Sequence, residues 1–322
     1  MKRKYLFPLL ILLLTHSGNL SAQEVVKQPL GNQWRLTIDL GVLMMQSNST
    51  LDTNGEKKIT DNTQEGNAPQ SVWTFPLFDF RYVLADSKTQ FFVGTPIEGS
   101  NTALSLGASQ PLPKIGIISV SVAPSFGVTL WKNPYEENVD RKKTAVDILT
   151  TNLKIDNLAS TPVHLAYTHR TITIEEDEIG KLYSDLNRNG TIQTVQVTYD
   201  IGLTRSSLVS PGLTAERGDM DGQSNRYSQS GLTVSYKQQG QRCMFMVEAS
   251  ANQSLYEKEH PLYGKTRRDD GIGFFALLRI QSLFEVAALH SNIILGAGTV
   301  NSNIDFFDNN SSYLALTMGY SF

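Results

Sequence analysis

Apolar and polar positions alternate with period two along the last eleven residues of the chain. Leu314, Leu316, Met318, Tyr320 and Phe322 fall on one side, and Tyr313, Ala315, Thr317, Gly319 and Ser321 on the other. This is the spacing of a β-strand, whose successive side chains point to opposite faces. The same pattern opens at Trp34, where Trp34, Leu36, Ile38, Leu40, Val42 and Met44 alternate with Arg35, Thr37, Asp39 and Gly41. A second strand, about Val72 to Leu84, sets Phe78, Phe80, Tyr82 and Leu84 against Asp79 and Arg81. Further strands are expected at about Thr89–Ile97, Thr102–Gln110, Ile117–Trp131, Ala145–Ile155, Val163–Glu175 and Thr191–Thr204. The series continues at about Ser207–Glu216, Tyr227–Gln238, Arg242–Glu257, Gly271–Gln281 and Phe284–Gly298, and ends with Ser312–Phe322. The pattern therefore predicts about fourteen strands and no long helix.

The connections alternate as well. Long polar ones are Gln46–Gln70, Lys132–Thr144, Glu176–Gly190, Arg217–Arg226, Lys258–Asp270 and Thr299–Ser311. Between them lie short ones: Ala85–Lys88, Pro111–Gly116, Asp156–Pro162, Arg205–Ser206, Gln239–Gln241 and Ser282–Leu283. Only Glu98–Asn101 is short where a long one is due. Long loops at one end and short turns at the other are the layout of a transmembrane antiparallel up-and-down β-barrel, with the turns periplasmic and the loops extracellular. An ordinary soluble sandwich has no reason to keep that asymmetry. The terminal strand closed by Phe322 also resembles the C-terminal signal of Gram-negative outer-membrane barrels, which implies recognition by the barrel-assembly machinery. Aromatic residues near strand ends (Trp34, Trp73, Trp131, Tyr135, Tyr227, Tyr256, Tyr313 and Phe322) are expected in interfacial girdles.

Composition narrows the function. Lys2, Arg3 and Lys4 precede an apolar run from Leu6 to Leu14, and Leu20-Ser21-Ala22 offers a cleavage point before Gln23. Residues 1–22 are thus expected to be a removed export signal, leaving residues 23–322 as one barrel domain. A mean hydropathy of −0.21 fits a barrel in which only alternate residues meet lipid. With 28 basic and 31 acidic residues, net charge −3, the chain offers no basic field for nucleic acid. Cys243 is alone, so no intramolecular disulfide can form.

Several phrases carry a family resemblance. Trp131-Lys-Asn-Pro-Tyr135 is followed by Asp140-Arg141-Lys-Lys-Thr144 and Leu186-Asn-Arg-Asn-Gly190. Pro261-Leu-Tyr-Gly-Lys-Thr-Arg267 with Asp269-Asp270, and Asn303-Ile-Asp-Phe-Phe-Asp308, complete the set. Together they resemble the outer-membrane family known as domain of unknown function 2860, from about Trp34 to Phe322. The resemblance implies a barrel in the bacterial outer membrane and brings no catalytic residues. Most of these phrases lie in the expected long loops, where packing of loop against loop is the favoured role.

Chemistry along the chain is sparse. Asp185-Leu-Asn-Arg-Asn-Gly190 matches the opening of a calcium loop, with Asp185, Asn187 and Asn189 as oxygen donors, but Gln196 stands where the bidentate Glu belongs. Asp219-Met-Asp221-Gly222 is a second partial acidic turn. His260 with Asp269, Asp270 and Asp308 could activate water at a barrel mouth, and a Ser with His164, His169 or His290 could form a hydrolase pair. No motif ties either set together, so neither an enzyme nor a cofactor is expected.

Taking apolar residues as outward leaves Arg35, Asp39, Asp79, Arg81, Lys154, Arg170, Asp200, Glu248, Arg279 and Glu285 as inward candidates. Charges of both signs would line a water-filled pore and tune what crosses it. The expectation is a monomeric, passive, porin-like channel for small hydrophilic solutes, held in outer-membrane lipid. The alternative is a non-conducting surface barrel whose loops bind a partner or an ion. A hydrolase ranks third.

Overall fold

A strand with one apolar face can cross lipid only if all its backbone groups are paired, and closure of the sheet removes the last open edges. The computed structural model describes residues 32–63, 66–67, 70–95 and 104–322, and among them fourteen antiparallel staves close into a ring. They are β1 (Gln33–Ser47), β2 (Gln70–Val83), β3 (Gln90–Gly94), β4 (Ser105–Leu112) and β5 (Gly116–Pro124, resumed at Thr129–Trp131). Next come β6 (Lys143–Asp156), β7 (Val163–Ile174), β8 (Gly190–Tyr199, resumed at Ile201–Gly202), β9 (Ser207–Met220) and β10 (Tyr227–Gln239). The ring ends with β11 (Cys243–His260), β12 (Lys265–Gln281), β13 (Leu289–Ser302) and β14 (Asn309–Ser321). Each stave pairs with its neighbours in sequence, and β1 pairs with β14 from Thr37↔Ser321 to Ser47↔Ser311. The Phe322 amide donates to the Leu36 carbonyl at 2.8 Å and extends that closing seam.

Alternation sorts the side chains as expected. Leu40, Leu213, Leu232, Ile272 and Met318 lie on the outer face and are more than half exposed, which on this fold means exposed to lipid. Among the described residues no helix is long and apolar enough to cross a membrane; the crossing is made by strands. Of the expected aromatic girdle, Trp34 and Phe322 lie outward at the periplasmic end, each 60% exposed. Trp73 and Tyr313 turn inward, Trp131 is buried, and Tyr135, Tyr227 and Tyr256 pack inside the extracellular end. Those six are corrections to the girdle.

The staves also run farther than the alternation does. β9 reaches Met220, β11 reaches His260 and β12 begins at Lys265, so most of the expected loop Lys258–Asp270 is strand. Likewise β13 continues to Ser302 and β14 starts at Asn309. Above the lipid both faces of a strand are wet, so the apolar signal lapses while the hydrogen-bond ladder continues. Eighteen residues at ~3.3 Å each give β11 a length of about 59 Å, enough to project well beyond an apolar band ~25 Å tall even when tilted. At the other end β13 starts at Leu289 and not at Phe284. Residues 1–22 and the Glu98–Asn101 connection lie outside the described residues.

The candidate lumen and its extracellular cap

Nine of the ten inward candidates sit on inward register positions: Arg35, Asp39, Asp79, Arg81, Lys154, Arg170, Asp200, Glu248 and Arg279. Glu285 does not. It lies exposed in the Leu283–Glu285 turn between β12 and β13, because the chain leaves the sheet at Gln281. Most of the inward charges are held by close partners, whereas Glu248 is buried by desolvating neighbours. Arg81 Nε donates to Asp79 Oδ2 at 2.8 Å, and Lys154 Nζ lies 3.0 Å from Asp156. Asp39 Oδ1 accepts from His290 Nε2 (3.1 Å), Asn292 Nδ2 (3.1 Å) and Thr317 Oγ1 (3.0 Å), which ties β1 to β13 and β14. Arg279 Nε then donates to Asn292 Oδ1 at 2.7 Å. Across the ring, Glu216 accepts from Thr194 and from the Tyr227 hydroxyl, each at 2.7 Å, with Arg170 4.0 Å away.

Sequence reasoning missed a second feature of the inward face. On β11 to β2 it carries, among those charged and polar groups, a buried apolar cluster of Met244, Met246, Phe275, Leu277, Ile294 and Ala315, flanked by Leu43, Phe75 and Tyr313. Assigning every apolar residue outward hid them. The available signal was the unbroken run Phe274-Phe275-Ala276-Leu277-Leu278, apolar on both faces of one strand. Two of the aromatic rings reach across to the neighbouring strand because the residue opposite is glycine. Phe75 is the register partner of Gly41, and Tyr313 that of Gly296. A Cβ on Gly41 would stand 2.7 Å from Phe75 Cζ, and one on Gly296 2.1 Å from Tyr313 Cε1. Only glycine lets these rings cover the strand next door.

The extracellular end is bridged. Tyr135, between β5 and β6, packs against His260, Tyr263, Phe306 and Phe307, with ring centroids 4.9–6.4 Å apart. His260 and Tyr263 belong to the β11–β12 hairpin, which stands nearly opposite β5–β6 in the ring, so the contact spans the mouth. Ile59 and Leu51, from the loop after β1, join the same cluster with Ile304. Arg141 fastens that loop: its guanidinium donates to the carbonyls of Thr50 (2.9 Å), Glu56 (2.6 Å), Lys57 (3.4 Å) and Pro134 (3.0 Å) and stacks 4.5 Å from the centroid of the Trp131 ring. Arg267 pairs with both oxygens of Asp269 (2.9 and 2.6 Å) and covers the faces of Phe307 and Tyr256. Burial shifts the titrating groups here, the Tyr135 hydroxyl up to about 12, Arg141 down to about 10, and His260 down to about 4, where Arg267 adds repulsion. The family phrases of the loops are thus, in large part, the pieces of this cap.

The constellations considered for catalysis are dispersed. His260 accepts from the Leu262 amide and meets the Tyr135 hydroxyl, whereas Asp269 and Asp270 pair with arginines and Asp308 accepts from the Ser302 amide. His290 meets Asp39, and His164 lies between Asp156 (2.8 Å) and Asp200 (3.1 Å). Both are on the inward face, and Ser210 donates to Asp200, not to His164. His169 is on an outward position. Asp185 pairs with Lys258 at 2.7 Å, Asn187 Oδ1 accepts from the Asn189 amide, and Asn189 Oδ1 accepts from the Ile174 amide. Among the described residues no group of three His, Cys, Asp or Glu converges as metal ligands would.

The fold is similar to OmpT, an outer membrane protein of Vibrio cholerae, at 10% identity and TM-score 0.45 over 93% of this chain and 100% of that one. It is similar to the outer membrane channel DcaP of Acinetobacter baumannii at 9% identity and TM-score 0.44, covering 91% and 98%. LpxR from Salmonella typhimurium matches at 15% identity and TM-score 0.40, covering 68% and 88%. No curated protein matches the sequence. The family model described as protein of unknown function (DUF2860) matches residues 33–321, so this chain, a closed fourteen-stranded transmembrane barrel, belongs to that family.

Proposed function

We propose that the protein is a passive channel of the bacterial outer membrane, through which small solutes diffuse. The observation that carries this reading is the inward face of β6 to β8, where the half-buried Thr150, Asn152, Thr168 and Thr198 offer hydrogen-bonding groups near the Lys154–Asp156 and Arg170–Glu216 pairs. Side chains of this kind replace the hydration of a crossing solute, and opposed charges set up a transverse field. The bridged mouth makes entry from outside subject to the cap. In this reading the chain is an exported monomer, inserted by the assembly machinery through the strand that ends at Phe322.

The second reading, a non-conducting surface barrel, is favoured by the same cap, since loops from opposite sides of the ring meet over the mouth. Planar-bilayer recordings separate the two. The expected result is stable conductance steps for the refolded, heat-modifiable protein, larger or more frequent for Arg141→Ala, in which the cap is loosened. Silence from both folded proteins would leave the surface-barrel reading in possession.

A further inference from the structure

The two halves of the inward face differ in kind. From β6 to β10 its mid-strand side chains are hydroxyls and amides, and Thr168 donates to Asn152 at 2.9 Å within that track. From β11 to β2 they pack into a buried apolar cluster, and at its margin Phe75 and Tyr313 each set the far edge of the ring over a glycine of the neighbouring strand. Both rings are only half-buried, so part of each remains open toward the axis. Such rings attract flat apolar surfaces through dispersion and edge contacts, while the opposite track satisfies hydroxyls.

Charge refines the match. Cations are held beside partners on both halves, Lys154 by Asp156 and Arg170 near Glu216 on the polar one, Arg81 by Asp79 and Arg279 by Asn292 on the other, and Glu248 is buried in register with Phe275. An ionic solute would therefore find its counter-charges already engaged, and a fully hydrated one would gain nothing from the rings. From this arrangement, and resting on the channel reading above, we infer that the lumen favours neutral amphipathic ring compounds. Saccharide rings and aryl alcohols share that chemistry, with one flat apolar face and a hydroxylated edge. This departs from the expectation of generally hydrophilic solutes.

Swelling of proteoliposomes tests it, with phenyl glucoside, a disaccharide and the acyclic polyol mannitol as probes, on the intact protein and on Arg141→Ala. A pore that sieves by size admits mannitol fastest. The inference expects phenyl glucoside to match or exceed mannitol, and a disaccharide that does the same would identify the sugar ring, not the aryl group, as the recognised face. Phe75→Ser should lower the phenyl glucoside to mannitol ratio about fivefold, the equivalent of one ring contact, and Phe75→Tyr should restore it. Tyr313→Thr gives an independent reading if the Ser variant fails to fold. Entry ranked by size alone, with a ratio indifferent to Phe75 and Tyr313, would overturn the inference and leave the channel standing. Entry of no probe into vesicles carrying either folded protein would overturn both.

Discussion

Arg141 is the residue on which the cap most depends. Its guanidinium reaches four carbonyls on two loops and is almost wholly buried, so its removal strands acceptors that water cannot easily reach. Each such buried group left unpaired costs ~1–3 kcal/mol. Arg141→Ala is expected to destabilise the docked loop by about 3 kcal/mol while the barrel stays resistant to protease and detergent. Limited proteolysis would show new cleavage around residues 51–59 and an intact remainder. Arg141→Lys should rescue little, since one ammonium cannot serve the separate directions of the guanidinium fork. Gly296 is the matching test on the wall. A side chain there must displace the Tyr313 ring, because the first added carbon lands 2.1 Å from it. Gly296→Val is expected to cost ~1–3 kcal/mol by overpacking and to narrow the passage, read as a lower heat-modification temperature together with smaller conductance steps.

At the scale of elements, the β11–β12 hairpin is both wall and lid. Its lower half is banded by lipid, and its upper end carries His260 into the aromatic cluster. His260 Nδ1 accepts the Leu262 amide, so its neutral form must carry the proton on Nε2, facing the Tyr135 hydroxyl. A second proton would have to go on Nδ1, against the Leu262 N–H that already points at it. That geometry agrees with the depression of its pKa to about 4 by burial and by Arg267. The docked cap therefore binds fewer protons than the undocked one between pH 4 and the ordinary histidine value of ~6.5. Its stability is complete above ~6.5, falls by at most ~1.4 kcal/mol per pH unit on the way down, and levels off below 4. Protease sensitivity of the loops should accordingly rise between pH 7 and pH 4.5, and His260→Gln should flatten that dependence. An unchanged profile in His260→Gln would mean that other groups drive the opening. None of this was visible in sequence, where His260 suggested partnership with Asp269 and Asp270. Partners in a cap come from hairpins over a hundred residues apart, and no local period encodes them.

For the whole molecule, strand number, order and inward-facing charges were legible because lipid enforces a strict alternation wherever it touches the chain. Glu285, the upper ends of β9 and β11 to β14, and the apolar cluster of the lumen were not, since in each case the residue lies beyond the lipid or breaks the rule that apolar means outward. Closure of the ring was implied only by the period of the first and last strands, and a single carboxylate now shows how it is secured. Asp39 Oδ1, on β1, gathers donors from His290 and Asn292 on β13 and from Thr317 on β14, so one oxygen spans the closing seam and the strand beyond it. Gly319 makes room for this: a side chain there would come within 2.5 Å of both Asp39 Oδ1 and His290 Nε2. In the backbone ladder each bond joins neighbouring strands only, whereas this network reaches two strands away from β1. Asp39→Ala leaves three inward donors without their common acceptor and should cost ~3–5 kcal/mol, the scale of a broken buried polar network. The loss belongs to closure, so it should appear as slower formation of the compact, heat-modifiable band and a lower temperature for its disappearance. Asp39→Asn keeps one carbonyl acceptor and should fall between the two. If Asp39→Ala folds and melts as the parent does, the seam is held by its backbone ladder alone.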